Sequence, residues 1–230
     1  NVVLNTIVAE SFREIADELE KADNFDMACH DMIKKLFTEH HRIVFNGNGY
    51  SDEWVEEAER RGLPNIKSMV DAVPALTAPK AIKLFESFGV FTESELRSRA
   101  EIKYEAYAKA INIEAKSMID IASKHIIPAV VSYTTELANS VIAVSEAGVD
   151  SSTQKELLDE VTKYLKEMKA ALKKLTEVTE KASDITEGKE QATYFRDVVK
   201  VAMDELRAPA DKLEMIVDKE FWPFPSYGDL

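Results

Sequence analysis

Apolar residues recur at spacings of three and four along most of this chain, a period that predicts helices rather than strands. In the first twenty residues the apolar positions are Leu4, Ile7, Val8, Phe12, Ile15, Ala16 and Leu19, the stripe of an amphipathic helix. A second helix is expected over about 26–41, with Met27, Met32, Ile33, Leu36 and Phe37 apolar and Asp23 or Asn24 as its cap. Arg42-Ile43-Val44-Phe45 is β-prone but short, so at most one extended segment is expected. Asn46-Gly47-Asn48-Gly49-Tyr50 reads as a turn whose glycines supply positive φ. Ser51 then reads as the cap of a helix reaching about residue 61, with Asp52 and Glu53 at its positive end. Two short helices follow, about 67–72 and 79–87, separated by Pro74 and Pro79.

Beyond Gly89 the pattern lengthens. Pro128 is the one break between 92 and 148, none falls between 153 and 183, and Pro209 is the one break between 189 and 219. Thr92-x-x-Glu95 is a capping box that opens the first long segment. Each proline predicts a kink or break. A seam of alternating three and four runs through Leu158, Val161, Leu165, Met168, Leu172, Leu175, Thr179 and Ala182. Phe195, Val199, Ala202, Leu206, Leu213 and Ile216 continue it in the last helix. Such seams belong to long helices packed side by side. The expected fold is therefore mainly all-α: a compact set of short helices, then a bundle of long antiparallel ones, with the texture changing near residue 90.

Composition narrows the chemistry. The 230 residues carry a net charge of -13, which disfavours nucleic acid and anionic membrane as partners. One cysteine, Cys29, excludes an internal disulfide and a cysteine zinc site, and fits a reducing cytoplasm. No apolar run approaches about 20 residues and no signal peptide is visible. The chain opens at Asn1 rather than Met, which reads as a processed chain or an excised fragment. Gly47-Asn48-Gly49 lacks the third glycine of a dinucleotide loop and leads into Asp52, an acid that repels pyrophosphate. His30, His40, His41 and His125 form no metal-ligand spacing, and Cys29 among apolar neighbours reads as an inert thiol. A carboxylate-bridged metal bundle needs Glu-x-x-His, whereas Ala122 stands three residues before His125. No catalytic, cofactor-binding or metal-binding residue is assigned. The tail is the exception to this bland surface: Phe221, Trp222, Phe224 and Tyr227 lie in a proline-broken stretch that must bury its rings somewhere. They either pack back on their own domain or form an interface with another domain or subunit.

Specific stretches carry a family resemblance. Asn1-Val2-Val3-Leu4-Asn5-Thr6-Ile7-Val8-Ala9-Glu10, Arg42-Ile43-Val44-Phe45-Asn46-Gly47-Asn48-Gly49-Tyr50-Ser51-Asp52-Glu53-Trp54, Glu57-Ala58-Glu59-Arg60-Arg61-Gly62-Leu63 and the closing Phe221-Trp222-Pro223-Phe224-Pro225-Ser226-Tyr227-Gly228-Asp229-Leu230 resemble, in order, the last third of type III glutamine synthetases. The resemblance implies a parent ligase that joins ammonia to glutamate with ATP and Mg2+ or Mn2+, in large homo-oligomers. It implies that the family's metal-binding and catalytic residues lie upstream of Asn1, so no cofactor is expected in this chain. It places 1–76 as the tail of a catalytic domain and 77–230 as the helical C-terminal region, with the upstream catalytic domain and neighbouring subunits as partners. The front part should then expose an apolar face once buried on a catalytic core. A free-standing helical scaffold or interaction protein is the alternative reading.

Overall fold

The computed structural model describes residues 1–225 and 228, and among them the chain is helical with no strand. Five shorter helices come first: α1 Val2–Leu19, α2 Phe25–His40, α3 Asp52–Arg60, α4 Met69–Leu76 and α5 Pro79–Ser87. Then α6 runs unbroken for 54 residues, Glu93–Glu146, with a π-helical turn at Ala122–Ile126. α7 is Ser152–Ser183. α8 opens as Gly188–Tyr194, passes a second π-helical turn at Phe195–Val199, and continues over Lys200–Ile216. The all-α reading from the spacing is what the chain forms. The β-prone run folds otherwise, as a 3-10 turn at His41–Ile43 followed by irregular chain.

Local chemistry sets the helix ends. The Asn24 side chain accepts the Met27 N–H at 3.1 Å and caps α2. The capping box of α6 forms in both directions: Glu95 accepts the Thr92 N–H at 2.8 Å, and Thr92 accepts the Glu95 N–H at 3.3 Å. α6 ends at Gly148, whose φ of 73 is open to glycine at little cost. There the Gly148 N–H bonds the Ser145 carbonyl and the Val149 N–H bonds that of Val144, closing a Schellman turn.

Of the two outcomes expected at Pro128 and Pro209, a kink or a break, the break does not occur at either. Pro128 does not break α6, because the turn before it widens. The Ile127 N–H bonds the carbonyl of Ala122, five residues back, and this wider turn makes room for the ring. Pro209 stays inside α8 as a buried core residue, so its packing offsets the lost hydrogen bond. Pro74 lies within α4 instead of ahead of the next helix.

The chain divides into two compact units, Asn1–Ala100 and Glu101–Leu230, the division falling within α6. In the second unit α7 packs against both α6 and α8. Val161, Met168, Leu175 and Ala182 of α7 are sealed from solvent together with Val199, Leu206 and Leu213 of α8. These are seam residues; of the seam's remaining positions on α7, Thr179 is buried and Leu158, Leu165 and Leu172 are half-buried. On α6 the buried Ala122, Ile126 and Val130 are spaced by four twice in succession. The first unit has a smaller core of Val70, Val73, Phe85 and Leu96, with the Phe85 and Phe91 rings 5.6 Å apart.

One correction concerns membranes. The sequence shows no apolar run of spanning length, yet α6 is long and apolar enough, by length and composition, to cross a bilayer. Small and hydroxyl residues such as Ser132, Thr134 and Thr135 break the run to the eye but weigh little in hydropathy. Val130, Tyr133 and Leu137 of this helix are buried in the core of the second unit.

Candidate functional site

The loop that carries the Asn-Gly-Asn-Gly-Tyr run is built rather than slack. Phe45 and Trp54 stack with ring centroids 4.2 Å apart. The Arg61 guanidinium donates to the carbonyls of Arg42 and Val44, at 3.1 and 2.7 Å, and lies over the Trp54 ring at 5.7 Å. Arg61 is itself held by Glu57, four residues earlier on α3, which also binds Arg60 at 2.6 Å. Within the turn, Asn48 accepts the Tyr50 N–H at 3.1 Å. Ser51 donates its hydroxyl to the Asn48 carbonyl at 2.9 Å. Its side chain therefore does not cap α3 as expected, because the loop has already engaged it.

Neither Gly47 nor Gly49 has a positive φ, against the sequence expectation. Gly47 answers a different need. A Cβ there would stand 2.7 Å from Cζ of Phe45, inside the space of the stacked ring. The loop tip presents Tyr50 wholly to solvent.

Arg60 and then Arg61, by hydrogen bonding, hold the Glu57 carboxyl down to about 2 from 4.5. A carboxylate depressed on folding contributes its stabilisation above its ordinary value and loses it as pH falls through the folded value. The loop is thus expected to keep its order above about pH 4.5 and to lose it progressively toward about pH 2. Trp54 fluorescence, read in a Trp222→Phe chain, checks this: emission should shift within that window, and Glu57→Gln should show the acid-form spectrum already at neutral pH.

Beside the loop lies an unfilled apolar surface. α1 has one buried residue, Thr6, and α2 has one, Met32. Leu4 is 67% exposed, Phe12 68%, Ile33 69% and Phe37 61%. Ile43 and Val44 extend this surface toward the loop, and with Ile15, Ile33 and Phe37 they line a groove. Single exposed apolar residues are ordinary, but amphipathic helices whose stripes face water are the mark of a covered surface.

The tail residues lie against their own unit. Phe221 and Trp222 are half-buried on the core, Phe221 packing 5.6 Å from Tyr133. Phe224, 39% exposed, stands 6.4 Å from both His125 and Trp222. The Trp222 indole N–H is buried with no hydrogen-bond partner among the described residues. Tyr227, the fourth interface candidate, lies outside the described residues.

No three His, Cys, Asp or Glu side chains converge on a metal-sized site among the described residues. The one glycine-rich loop is filled by the Phe45 ring and leads into Asp52 and Glu53. These residues do not fit ATP or the divalent ion that the resemblance attaches to the parent enzyme. Sequence reasoning missed the Arg61 clamp, although the Glu57–Arg61 spacing of four was a legible signal.

The chain is thus two all-helical units among its described residues, the first of them carrying the pinned motif loop and the uncovered face. The chain belongs to the family described as the glutamine synthetase C-terminal domain, whose profile matches residues 28–145. It is 41% identical over 146 residues to a type-3 glutamine synthetase of Dictyostelium discoideum, covering 62% of this chain and 20% of that protein. A glutamine synthetase of Butyrivibrio fibrisolvens is 41% identical over 112 residues, covering 49% of this chain and 16% of that protein. One from Bacteroides fragilis (strain YCH46) is 30% identical over 239 aligned positions, covering 100% of this chain and 33% of that protein. The chain thus spans a third or less of the length of these relatives.

Proposed function

We propose that this chain is the structural and assembly module of a glutamine synthetase, and that it performs no ligase chemistry alone. In this reading the parent protein is an ATP-dependent glutamate–ammonia ligase. Its ATP and Mg2+ or Mn2+ are held by the catalytic domain, upstream of residue 1. The observation that carries the reading is the uncovered face of α1, α2 and Ile43–Val44, a surface with no core of its own to join. The relatives' much greater length supports it, since it supplies a body for that face to pack on.

Residues 1–76 are then the end of the catalytic domain, with the pinned loop as a docking element. Residues 77–230 are the helical region, whose Phe221, Trp222 and Phe224 stiffen the bundle where a neighbouring subunit meets it. The partners are the catalytic domain and further copies of the ligase in the cytoplasm, with neither nucleic acid nor membrane among them. The test is direct: the purified chain, given glutamate, ammonia, ATP and Mg2+, should form no glutamine, and turnover above a no-protein control would contradict the proposal.

A further inference from the structure

A second feature lies wholly in the unit of long helices and does not depend on the ligase reading. A cavity of about 530 Å³ opens between α6 and α8 at the π turn of α6, within the size range of small-molecule sites. Met118 of α6 and Met203 of α8 form an apolar bed, backed from beneath by the sealed Met168 of α7, and Phe224 of the tail supplies one wall. Thioethers are deformable and make favourable contacts with aromatic ring edges. The Phe224 ring is held in place by Trp222 and His125.

The rim carries both signs. Glu114 comes from α6, and Lys200, Asp204 and Arg207 come from one face of α8 at helical spacing. Arg207 is engaged by Asp211 at 3.2 Å. Glu114, Lys200 and Asp204 make no ion pair among the described residues. Two uncommitted carboxylates and one uncommitted ammonium therefore face an apolar bed. A simple organic acid meets repulsion from the carboxylates, and a simple amine meets repulsion from Lys200 and Arg207. A molecule with both charges on one end and an apolar ring on the other meets its complement at every point. π turns also recur at functional sites in helices.

We propose that this cavity binds a small zwitterion with an aromatic body, an aromatic α-amino acid being the simplest member of that class. Its carboxylate pairs with Lys200, its ammonium with Asp204 or Glu114, and its ring lies on the methionines against Phe224.

The test is calorimetric titration of the unsubstituted chain with L-phenylalanine, repeated with 3-phenylpropionate and phenethylamine, which each lack one of the two charges. A parallel titration follows Trp222 fluorescence in a Trp54→Phe chain, where Trp222 is the sole tryptophan. Saturable binding of phenylalanine is expected, weakened about ten-fold in each single-charge analogue and about ten-fold in Lys200→Glu, the scale of one charge-assisted hydrogen bond. Lys200 is exposed, so this variant is expected to fold, which circular dichroism verifies. The proposal is overturned if phenylalanine gives neither heat nor a saturable fluorescence change. It is equally overturned if both analogues bind as well as phenylalanine, or if folded Lys200→Glu binds unchanged.

Discussion

Leu175→Ala should lower the unfolding free energy of the 101–230 unit by about 2–5 kcal/mol, the range for truncating a fully buried leucine. Leu175 is 0% exposed in the middle of α7, the helix that packs against both α6 and α8. Truncation removes its apolar contacts and leaves a void that helices gripped on two sides cannot close. The neighbouring Thr179 hydroxyl already bonds the Leu175 carbonyl at 2.7 Å, so the backbone at this point is doubly tied and has little freedom to collapse inward. Urea denaturation followed by circular dichroism measures the effect. The transition of this unit should move to lower denaturant with an unchanged slope. A loss under about 1 kcal/mol would mean that the seam tolerates a void and that the bundle core is looser than its burial implies.

The opposite behaviour is expected on α2. Ile33→Glu together with Phe37→Glu should leave the stability of this chain within about 0.5 kcal/mol, because both side chains already face water. On the proposed function, the same pair should abolish docking of the 1–76 region in the ligase polypeptide. Burying two carboxylates with no partners is among the costliest changes an interface can suffer. Urea denaturation of the chain alone reads the first effect, and co-elution with a separately produced catalytic part reads the second: the unsubstituted chain should co-elute and the double variant should not. Equal co-elution would place the docking surface elsewhere, and a large loss of stability in the chain alone would mean that α2 packs internally after all.

These two contrasts show what was legible in advance. The seam from Leu158 to Ala182 could be read because its partners, α6 and α8, lie in the same chain and the period of the pattern survives folding. The stripe of α1 was equally legible as a stripe, but its outer residues stay exposed among the described residues, so the pattern had no partner in this chain to be read against. At Pro128 the spacing left a kink and a break both open; the break does not occur because a π turn precedes the ring, and nothing in the local sequence announces that turn. Gly47 and Ser51 were misjudged for a related reason. Their roles are set by the Phe45 ring and the Asn48 carbonyl, neighbours brought together by the Arg61 clamp rather than by turn preferences. The cavity at Met118, Met168 and Met203 draws one residue from each long helix, and nothing in the local sequence of any of them announces it.

On the function proposed above, the face formed by α1, α2 and Ile43–Val44 is covered in the longer protein. Amide hydrogen exchange, measured on this chain and on the longer glutamine synthetase polypeptide proposed to carry it, reads that covering. Slower exchange across α1 and α2 in the longer protein, with the α7 core unchanged, is the predicted result. Equal exchange at α1 and α2 in both proteins would contradict the account.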